Sequence, residues 1–394
     1  MTSFPDRRAA LGADMPRRIT ALQQRMRSKG VGAVVLTGTA GPGLFGVPKY
    51  FTNISLWYGR AYVVIGVDHP EPALVHWSGF QAEWNRQEAT TRWIETPDVP
   101  VAAASLAAFR RALAIARELG GGSTRLGVEN MQQTWTMGEF DAFKTDCPGW
   151  KTVDFARDID AIRSVKSPFE LNEIRILGEQ ITGAIERFAQ VAKPGVPIWH
   201  ASSAAEEVLK AEGASWGRCK MSLNHRPATI LPEVDRAFRD DDIVLVELDY
   251  SGAFGYWYEL TCLMSFRPLP EDVARKVAAY EDVIARMVDR CRPGTRVGDL
   301  ATIADARFRE IGYPVKGMHL PHVHSIGLDE NDGPNSAATP DDLLEVQMVL
   351  AVHPGSLFED GTAYSMSDLF QVTAEGGVRQ SRKAWLHMIA GTSG

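Results

Sequence analysis

The stretch "LVELDYSGAFGYWYEL", residues 245–260, constrains the fold of this chain more than any other. Two apolar runs flank a turn that begins at Ser251, and this pattern predicts a buried hairpin. Because side chains alternate between the faces of a strand, Glu247 and Asp249 point the same way. The returning strand brings Glu259 toward them. Buried carboxylates are costly without a positive or hydrogen-bonding partner, so the hairpin predicts a polar site.

Two explanations of these acids involve no chemistry. The polar face of the strand is solvated, or the acids form structural ion pairs with nearby arginines. Carboxylates that cluster away from water raise one another's pKa unless a cation, a proton or a hydrogen-bond donor intervenes. We therefore expect a cation, a proton or a hydrogen-bond donor next to these acids in the folded protein.

Composition excludes several classes of function. The chain has 394 residues, of which 45% are hydrophobic and 23% charged, with a net charge of −7. These values are typical of a soluble globular protein with about two domains. The negative charge and the lack of a long basic run argue against nucleic-acid binding. No apolar run approaches the roughly 18–20 residues that span a bilayer, so no membrane partner is expected.

The cysteines and the N-terminus indicate the compartment. The first residues carry charge but no apolar core, which argues against a secretory signal. The cysteines are far apart and form no Cys-x-x-Cys pair, which favours reduced thiols; they are Cys147, Cys219, Cys262 and Cys291. Both observations predict a cytoplasmic protein.

Helical and extended patterns divide the chain into two predicted domains. Residues 1–160 alternate helices with short strands such as "VGAVVLTG" and "RAYVVIGV", which is typical of an α/β domain. Ser167 then has the character of an N-cap for a long helix. Two units of helix, Pro-Gly turn, shorter helix and strands follow, with their turns at Pro194 and Pro293. We therefore expect an α+β domain with duplicated halves over residues 161–394.

Histidines add to the acids. The segment "HLPHVHSIGL" holds His319, His322 and His324, and His353 ends the strand-like "VLAVHPG". Histidine is the commonest metal ligand and the usual acid–base group near neutral pH. A single histidine is more often structural, but acids and histidines that converge suit a divalent metal or a metal-free acid–base centre. Spacing alone leaves both open.

Further residues are candidates for binding a substrate. "YFTNISLWYGRAYVV" places Arg60 among aromatic residues, a setting that suits recognition of a planar carboxylate. An arginine stacked on aromatic rings at an interface is the structural alternative. "SLNHRPATILPE" forms a loop just before the acid-bearing strand. The substrate-binding candidates are Arg60, Tyr58, Asp249, His225, Tyr258 and His322.

Several segments, taken in order, resemble the creatinase/prolidase/aminopeptidase P family. They are "IRSVKSPFELNEIR", "DDDIVLVELDYSGAFGYWYELT", "HSIGL", "MVLAVHPG" and "DLFQVTAEGG". The resemblance implies a creatinase-like α/β domain over 1–160 and an α+β "pita-bread" catalytic domain over 161–394, with duplicated helix–strand halves around a curved antiparallel sheet. It also implies a homodimer in which the N-terminal domain caps the partner's site.

The resemblance further implies a metal site whose ligands have changed. Metallopeptidases of the family bind two metals through two aspartates, one histidine and two glutamates. At the matching positions this chain has Glu247, Glu259, His324, His353 and Ser367, in that order. Four of the five ligand types differ, so a two-metal site is not expected. The cofactor is then none or one divalent metal, Zn or Fe, held by Glu259, His324 and His353 with Glu247 as an optional fourth ligand.

Two branches of the family match the chain locally. Creatinase, a C–N hydrolase without metals, has a Phe-Gly-Arg segment similar to Tyr58-Gly59-Arg60, which implies a small carboxylate-bearing substrate. Its general-base histidine falls near Ile230, where His225 is the nearest substitute. Dimethylsulfoniopropionate lyases have an Asp-x-Asp similar to Glu247-Leu248-Asp249, which supports a single acid cluster.

The leading interpretation is a hydrolase that cleaves a C–N bond (amide, amidine or lactam) in a small carboxylate-bearing substrate, by acid–base catalysis with a lost or reduced metal site. Arg60 of the partner subunit would hold the carboxylate. His324 would be the general base, His353 a proton shuttle, and Glu247 or Glu259 would orient a cationic nitrogen. The alternatives are a single-metal hydrolase or Xaa-Pro peptidase-like enzyme, a lyase acting on a small zwitterion, and a non-catalytic binding protein.

Overall fold

The computed structural model describes residues 3–41, 45–223, 236–315, 321–358, 363–381 and 387–390. Contacts within the chain divide it into two compact units, residues 1–163 and 164–394. Among the helices of these described ranges, none combines the length and the hydropathy that a membrane crossing requires.

The first unit is built on a six-stranded mixed sheet, in the order β4-β3-β2-β1-β5-β6. Its strands are β1 (Ala33–Thr39), β2 (Arg60–Gly66), β3 (Ala73–His76), β4 (Ile94–Glu95), β5 (Arg125–Val128) and β6 (Lys151–Asp154). Its helices are α1 (Phe4–Ser28), α2 (Gly46–Thr52), α3 (Gly79–Glu88), α4 (Val101–Leu119), α5 (Met131–Thr134), α6 (Met137–Asp146) and α7 (Ala156–Ser164), the last ending one residue into the second unit.

The core of the first unit lies between the sheet and α4. Small residues such as Ala108 and Ala112 are fully buried on this helix and let it lie close to the strands. Central strand residues such as Val35 and Val64 are equally buried against it. The predicted alternation of helices and strands is confirmed for this unit.

The described residues of the second unit form two helix pairs and three sheets. The helices are α8 (Pro168–Val191), α9 (Ile198–Ala211), α10 (Glu271–Asp289) and α11 (Val297–Glu310). The strands are β7 (Trp216–Leu223), β8 (Ile243–Ser251), β9 (Trp257–Ser265), β10 (Val323–Ser325), β11 (Val349–Val352), β12 (Gly355–Leu357), β13 (Ala363–Ser365), β14 (Asp368–Val372), β15 (Gly377–Arg379) and β16 (His387–Ile389). The sheets run β16-β9-β8-β7, β10-β11-β14-β15 and β12-β13.

The duplicated pattern of the sequence corresponds to these elements, since each helix pair is followed in the chain by strands of a four-stranded sheet. Ser167 caps α8 as predicted, because its hydroxyl accepts the backbone N–H of Glu170 and Pro168 occupies the first turn. One strand departs from the expected antiparallel sheet: β16 pairs with β9 in parallel. The α/β plus α+β fold class is otherwise confirmed.

Candidate active site

Three acids meet on the hairpin formed by β8 and β9, as the sequence predicts. Alternate residues of β8, such as Val246 and Leu248, are fully buried on one face, and Glu247 and Asp249 lie on the other. The two strands pair antiparallel with Asp249 directly opposite Glu259. The carboxylates of the two strands therefore converge on one face of the sheet.

A lysine meets two of these acids. Lys220 lies on β7, directly opposite Glu247 on β8. Its Nζ is 2.8 Å from Glu247 Oε1 and 3.1 Å from Asp249 Oδ2. Sequence reasoning missed this residue and considered only arginines. The available signal was a lone lysine in the strand-like run "GRCKMSL", but the register that brings it to Glu247 depends on tertiary pairing.

Burial dominates the electrostatics of this cluster. It raises the pKa of Glu259 well above its ordinary value, and the neighbouring Asp249 and Glu247 carboxylates add to the rise. Burial also raises the pKa of Asp249, against the opposing effect of the Lys220 ammonium. Burial alone would lower the pKa of Lys220, but the Glu247 and Asp249 carboxylates outweigh it and the pKa is raised. Glu330 also has a pKa raised by burial, with Glu247 adding to the rise.

Two histidines complete the site from the other four-stranded sheet. His324 lies on β10, and His353 follows the end of β11, with which β10 pairs antiparallel. Nε2 of His324 is 3.7 Å from Glu259 Oε2, and Nε2 of His353 is 4.0 Å from Glu259 Oε1. The two imidazole rings are 4.8 Å apart between centroids. The predicted convergence of acids and histidines is therefore present in the structure.

The imidazole rings of His324 and His353 are oriented with Nε2 toward Glu259. Nδ1 of His324 donates to the backbone carbonyl of Ser325 at 3.1 Å, so Nε2 of the neutral ring presents a lone pair to Glu259. Nε2 of His353 is buried and has no hydrogen-bond partner within the described residues. Burial lowers the pKa of both histidines, and the His324 ring lowers that of His353 further. Both imidazoles are therefore favoured in the neutral form that binds metals.

The three side chains fit one divalent metal ion. One ligand atom each from Glu259, His324 and His353 lie within 4.8 Å of one another. Two imidazoles and one carboxylate form a donor set typical of Zn²⁺ or Fe²⁺ with positions left open. Bonds of 2.0–2.2 Å to a tetrahedral ion place ligand atoms about 3.3–3.6 Å apart. The Glu–His separations are slightly wider than this and too long for hydrogen bonds.

Ser367, at the last of the five matched ligand positions, has no carboxylate to offer a metal. The Ser367 hydroxyl is 2.6 Å from the Thr261 hydroxyl, and the Thr261 backbone N–H donates to the Ser367 carbonyl at 3.0 Å. Thr261 faces Glu247 across the β8–β9 ladder. A hydroxyl bonded in this way replaces the carboxylate that would bridge two metals.

Two substrate-binding candidates of the second unit lie elsewhere. Tyr258 precedes Glu259 on β9 and so points to the opposite face, where its hydroxyl donates to Asp368 at 2.9 Å. Both ring nitrogens of His322 are engaged, Nε2 with Asp305 at 3.2 Å and Nδ1 with the Gly355 N–H at 3.4 Å. Tyr258 and His322 thus have partners within the chain, and their roles in substrate binding stay predictions.

In the first unit, Arg60 already has an anionic partner. Its Nε lies 2.9 Å from Glu139 Oε1, and the guanidinium also donates to Thr39 and Thr134. Tyr58 is 45% exposed and lies edge-on to Trp77. These contacts match the structural alternative for Arg60, and its role as a carboxylate clamp stays a prediction. The candidates His225 and His319 lie outside the described residues.

The two-unit architecture, with acids and histidines converging between two sheets of the second unit, defines a pita-bread protein with a creatinase-type N-terminal domain. Residues 172–379 match "Metallopeptidase family M24" and residues 18–165 match "Creatinase/Prolidase N-terminal domain". The chain belongs to metallopeptidase family M24. The resemblance seen in the sequence is thereby confirmed.

Individual proteins are also similar to this chain in sequence or structure. The "Probable dipeptidase PepE" of Mycobacterium tuberculosis is 25% identical over 220 residues, which cover 55% of this chain and 58% of that protein. The match thus spans little more than half the length of this curated relative. The prolidase of Pyrococcus horikoshii OT3 superposes with a TM-score of 0.78 at 17% identity, over 93% of this chain and 99% of the other. Dipeptidase PepE of Mycobacterium ulcerans gives 0.75 at 19% identity, over 96% and 98%. At such identities the structural likeness shows the fold.

Proposed function

We propose that the protein is a hydrolase that cleaves a C–N bond in a small substrate at a centre made of Glu259, His324 and His353. The observation that carries the proposal is the convergence of a buried carboxylate with two inward-facing imidazole nitrogens, one of which has no partner among the described residues. Relatives named dipeptidase and prolidase support amide hydrolysis as the reaction class.

The chain's own residues prepare this centre for one metal ion. When bound, such an ion supplies Lewis-acid activation of the scissile carbonyl and of a water molecule. The Ser325 carbonyl fixes the ring of His324 so that Nε2 faces inward. The buried strands hold Glu259 beside it with little water, which strengthens every electrostatic interaction in the site.

Asp249 is the candidate for moving a proton. Its Oδ2 is held by Lys220 at 3.1 Å, while its Oδ1 is buried and has no partner in the described part of the chain. Burial raises the pKa of Asp249 toward the neutral range, where a carboxyl group exchanges protons efficiently. In this proposal Asp249 accepts a proton from the attacking water and returns it to the leaving nitrogen.

The charge of the site suggests the substrate. Glu247, Asp249, Glu259 and Glu330 influence one another electrostatically, and Lys220 is the cation that the described residues bring to them. This excess of acids favours a substrate with a cationic nitrogen next to the scissile bond.

Metal-free acid–base hydrolysis is the second candidate. It is favoured by the raised pKa of Glu259, which lets a protonated carboxyl face the neutral ring of His324. In this version His324 serves as the general base and His353 as a proton shuttle.

The test is a substrate panel of Xaa-Pro and other dipeptides together with small lactam and amidine acids, assayed before and after chelation and metal reloading. His324→Ala should lower turnover by about 10²–10⁴-fold, with the thermal unfolding midpoint unchanged. His200→Ala, at an exposed histidine of α9, is the matched control and should retain full activity. Full activity of His324→Ala would refute both candidates, and activity that survives chelation would favour the metal-free one.

A further inference from the structure

We propose that Lys220 serves as a permanent internal cation for the Glu247–Asp249 half of the site, so that each chain binds one divalent metal ion and not two. This inference rests on the proposed function, because it fixes the metal content of the same centre. Its test needs no substrate, however, so it can fail or succeed independently of the reaction.

Lys220 supplies the positive charge that Glu247 and Asp249 need. Its ammonium bridges Glu247 Oε1 at 2.8 Å and Asp249 Oδ2 at 3.1 Å. An ammonium has three N–H donors and no lone pair, so it occupies carboxylate oxygens without offering a ligand. A second metal ion at these acids would have to displace the ammonium or sit beside a like charge in a buried site.

Within the part of the chain that the structure describes, the other half of the site has no such cation. His353 is buried, and its Nε2 points toward Glu259 at 4.0 Å with no hydrogen-bond partner within the described residues. His324 presents its Nε2 to the same carboxylate at 3.7 Å. A buried nitrogen without a partner is costly, and an ion held there removes that cost.

At the position that the family resemblance assigns to a bridging carboxylate, this chain has Ser367. Its hydroxyl is 2.6 Å from that of Thr261. A neutral hydroxyl that already shares a hydrogen bond does not neutralise two adjacent divalent ions. The chain therefore has a hydroxyl where a bridging group would reduce the repulsion between two ions, and a lysine where the second ion would bind. In this proposal the lysine is the group that keeps the second ion out.

The experiment is a metal count on the full chain. Protein stripped by chelation is reloaded with Zn²⁺, freed of excess metal by gel filtration, and measured by elemental mass spectrometry. The expected result is one Zn²⁺ per wild-type chain and two per chain for Lys220→Ala, because Glu247 and Asp249 become free to bind. Lys220→Arg keeps the charge and should stay at one, as should Lys144→Ala, which removes an exposed lysine.

A second pair of variants locates the ion. Glu259→Gln should lower the count to zero, and Glu247→Gln should leave it at one. Two ions on the wild-type chain would overturn the proposal, as would a count that Lys220→Ala leaves at one, or loss of the ion in Glu247→Gln but not in Glu259→Gln. If Lys220→Ala fails to fold, the wild-type count and the Glu259/Glu247 pair still decide.

Discussion

Each unit of the molecule contains a buried cluster of charges on a sheet, and the two clusters differ in how they are satisfied. In the first unit, Arg60 lies between Glu139, Thr39 and Thr134, and the Tyr62 hydroxyl donates to the same Glu139. In the second unit, Lys220 bridges two acids, but Asp249 Oδ1 and His353 Nε2 have no partners among the described residues.

This difference separates a structural cluster from a candidate functional one. A buried ion pair whose polar atoms are engaged holds its element in place and has nothing left for a ligand. A cluster with inward-facing atoms left over costs stability in the free protein, and such costs concentrate at functional sites. The following predictions are ordered from the largest expected effect.

Glu259→Gln tests the second cluster at the carboxyl group that faces the two histidines. The amide keeps the shape but loses the charge that would hold a metal or a proton, so hydrolysis should fall by about 10²–10⁴-fold. Because burial disfavours the ionised carboxylate, the thermal unfolding midpoint of the metal-free protein should stay the same or rise. Steady-state kinetics and calorimetry measure both. A fall in the midpoint with activity retained would place Glu259 in the structural class.

Glu139→Gln applies the same change to the first cluster. Arg60 is half-buried beside the buried Glu139 and loses its anionic partner, so the free energy of unfolding should fall by about 2 kcal/mol. Urea denaturation measures this, with Glu83→Gln as control, since Glu83 pairs with Arg86 at the surface. Turnover per folded molecule should not change. Unchanged stability would show that the Arg60–Glu139 pair is dispensable.

Protonation of His76 tests the first unit by pH. This histidine of β3 is fully buried, and burial lowers its pKa to about 4. Between pH 6.5 and about 4 the unfolded chain binds a proton that the folded chain does not, so stability falls as pH falls through this window. The loss amounts to at most about 3 kcal/mol. Urea midpoints at pH 7 and pH 4.5 should differ less in His76→Phe than in the wild type; an equal loss in both would contradict the assignment.

Ser167→Ala gives the smallest effect, at the N-cap of α8. The hydroxyl accepts the Glu170 N–H at the start of α8, and removing such a cap costs about 1 kcal/mol. The exposed Ser203→Ala within α9 is the control and should cost less. Denaturant midpoints compare the two, and equal costs would mean that the cap adds nothing beyond helix propensity.

The sequence predicted what depends on short-range periodicity and missed what depends on long-range register. Alternation along β8 placed Glu247 and Asp249 on one face, and the short turn after Ser251 returned Glu259 to them. Lys220 was missed because its partner strand lies more than twenty residues away and nothing local encodes their pairing.

Two other differences have related causes. Tyr258 was grouped with Glu259 by sequence proximity, although neighbours on a strand face opposite ways. Strands β16 and β9 come from distant parts of the chain, and no local sequence pattern predicts that they pair in parallel. His353 was predicted from its place at the end of an apolar strand, and the family resemblance then matched it to a ligand position.

The Lys220 bridge also affects the charge balance of the site when metal ions are scarce. A centre that depended on two metal ions for its charge balance would expose four or five repelling groups whenever the supply of metal ran low. Here the Glu247–Asp249 pair carries its counter-ion within the chain. In the absence of metal ions, the repulsion between these two carboxylates is therefore balanced by a group of the chain itself.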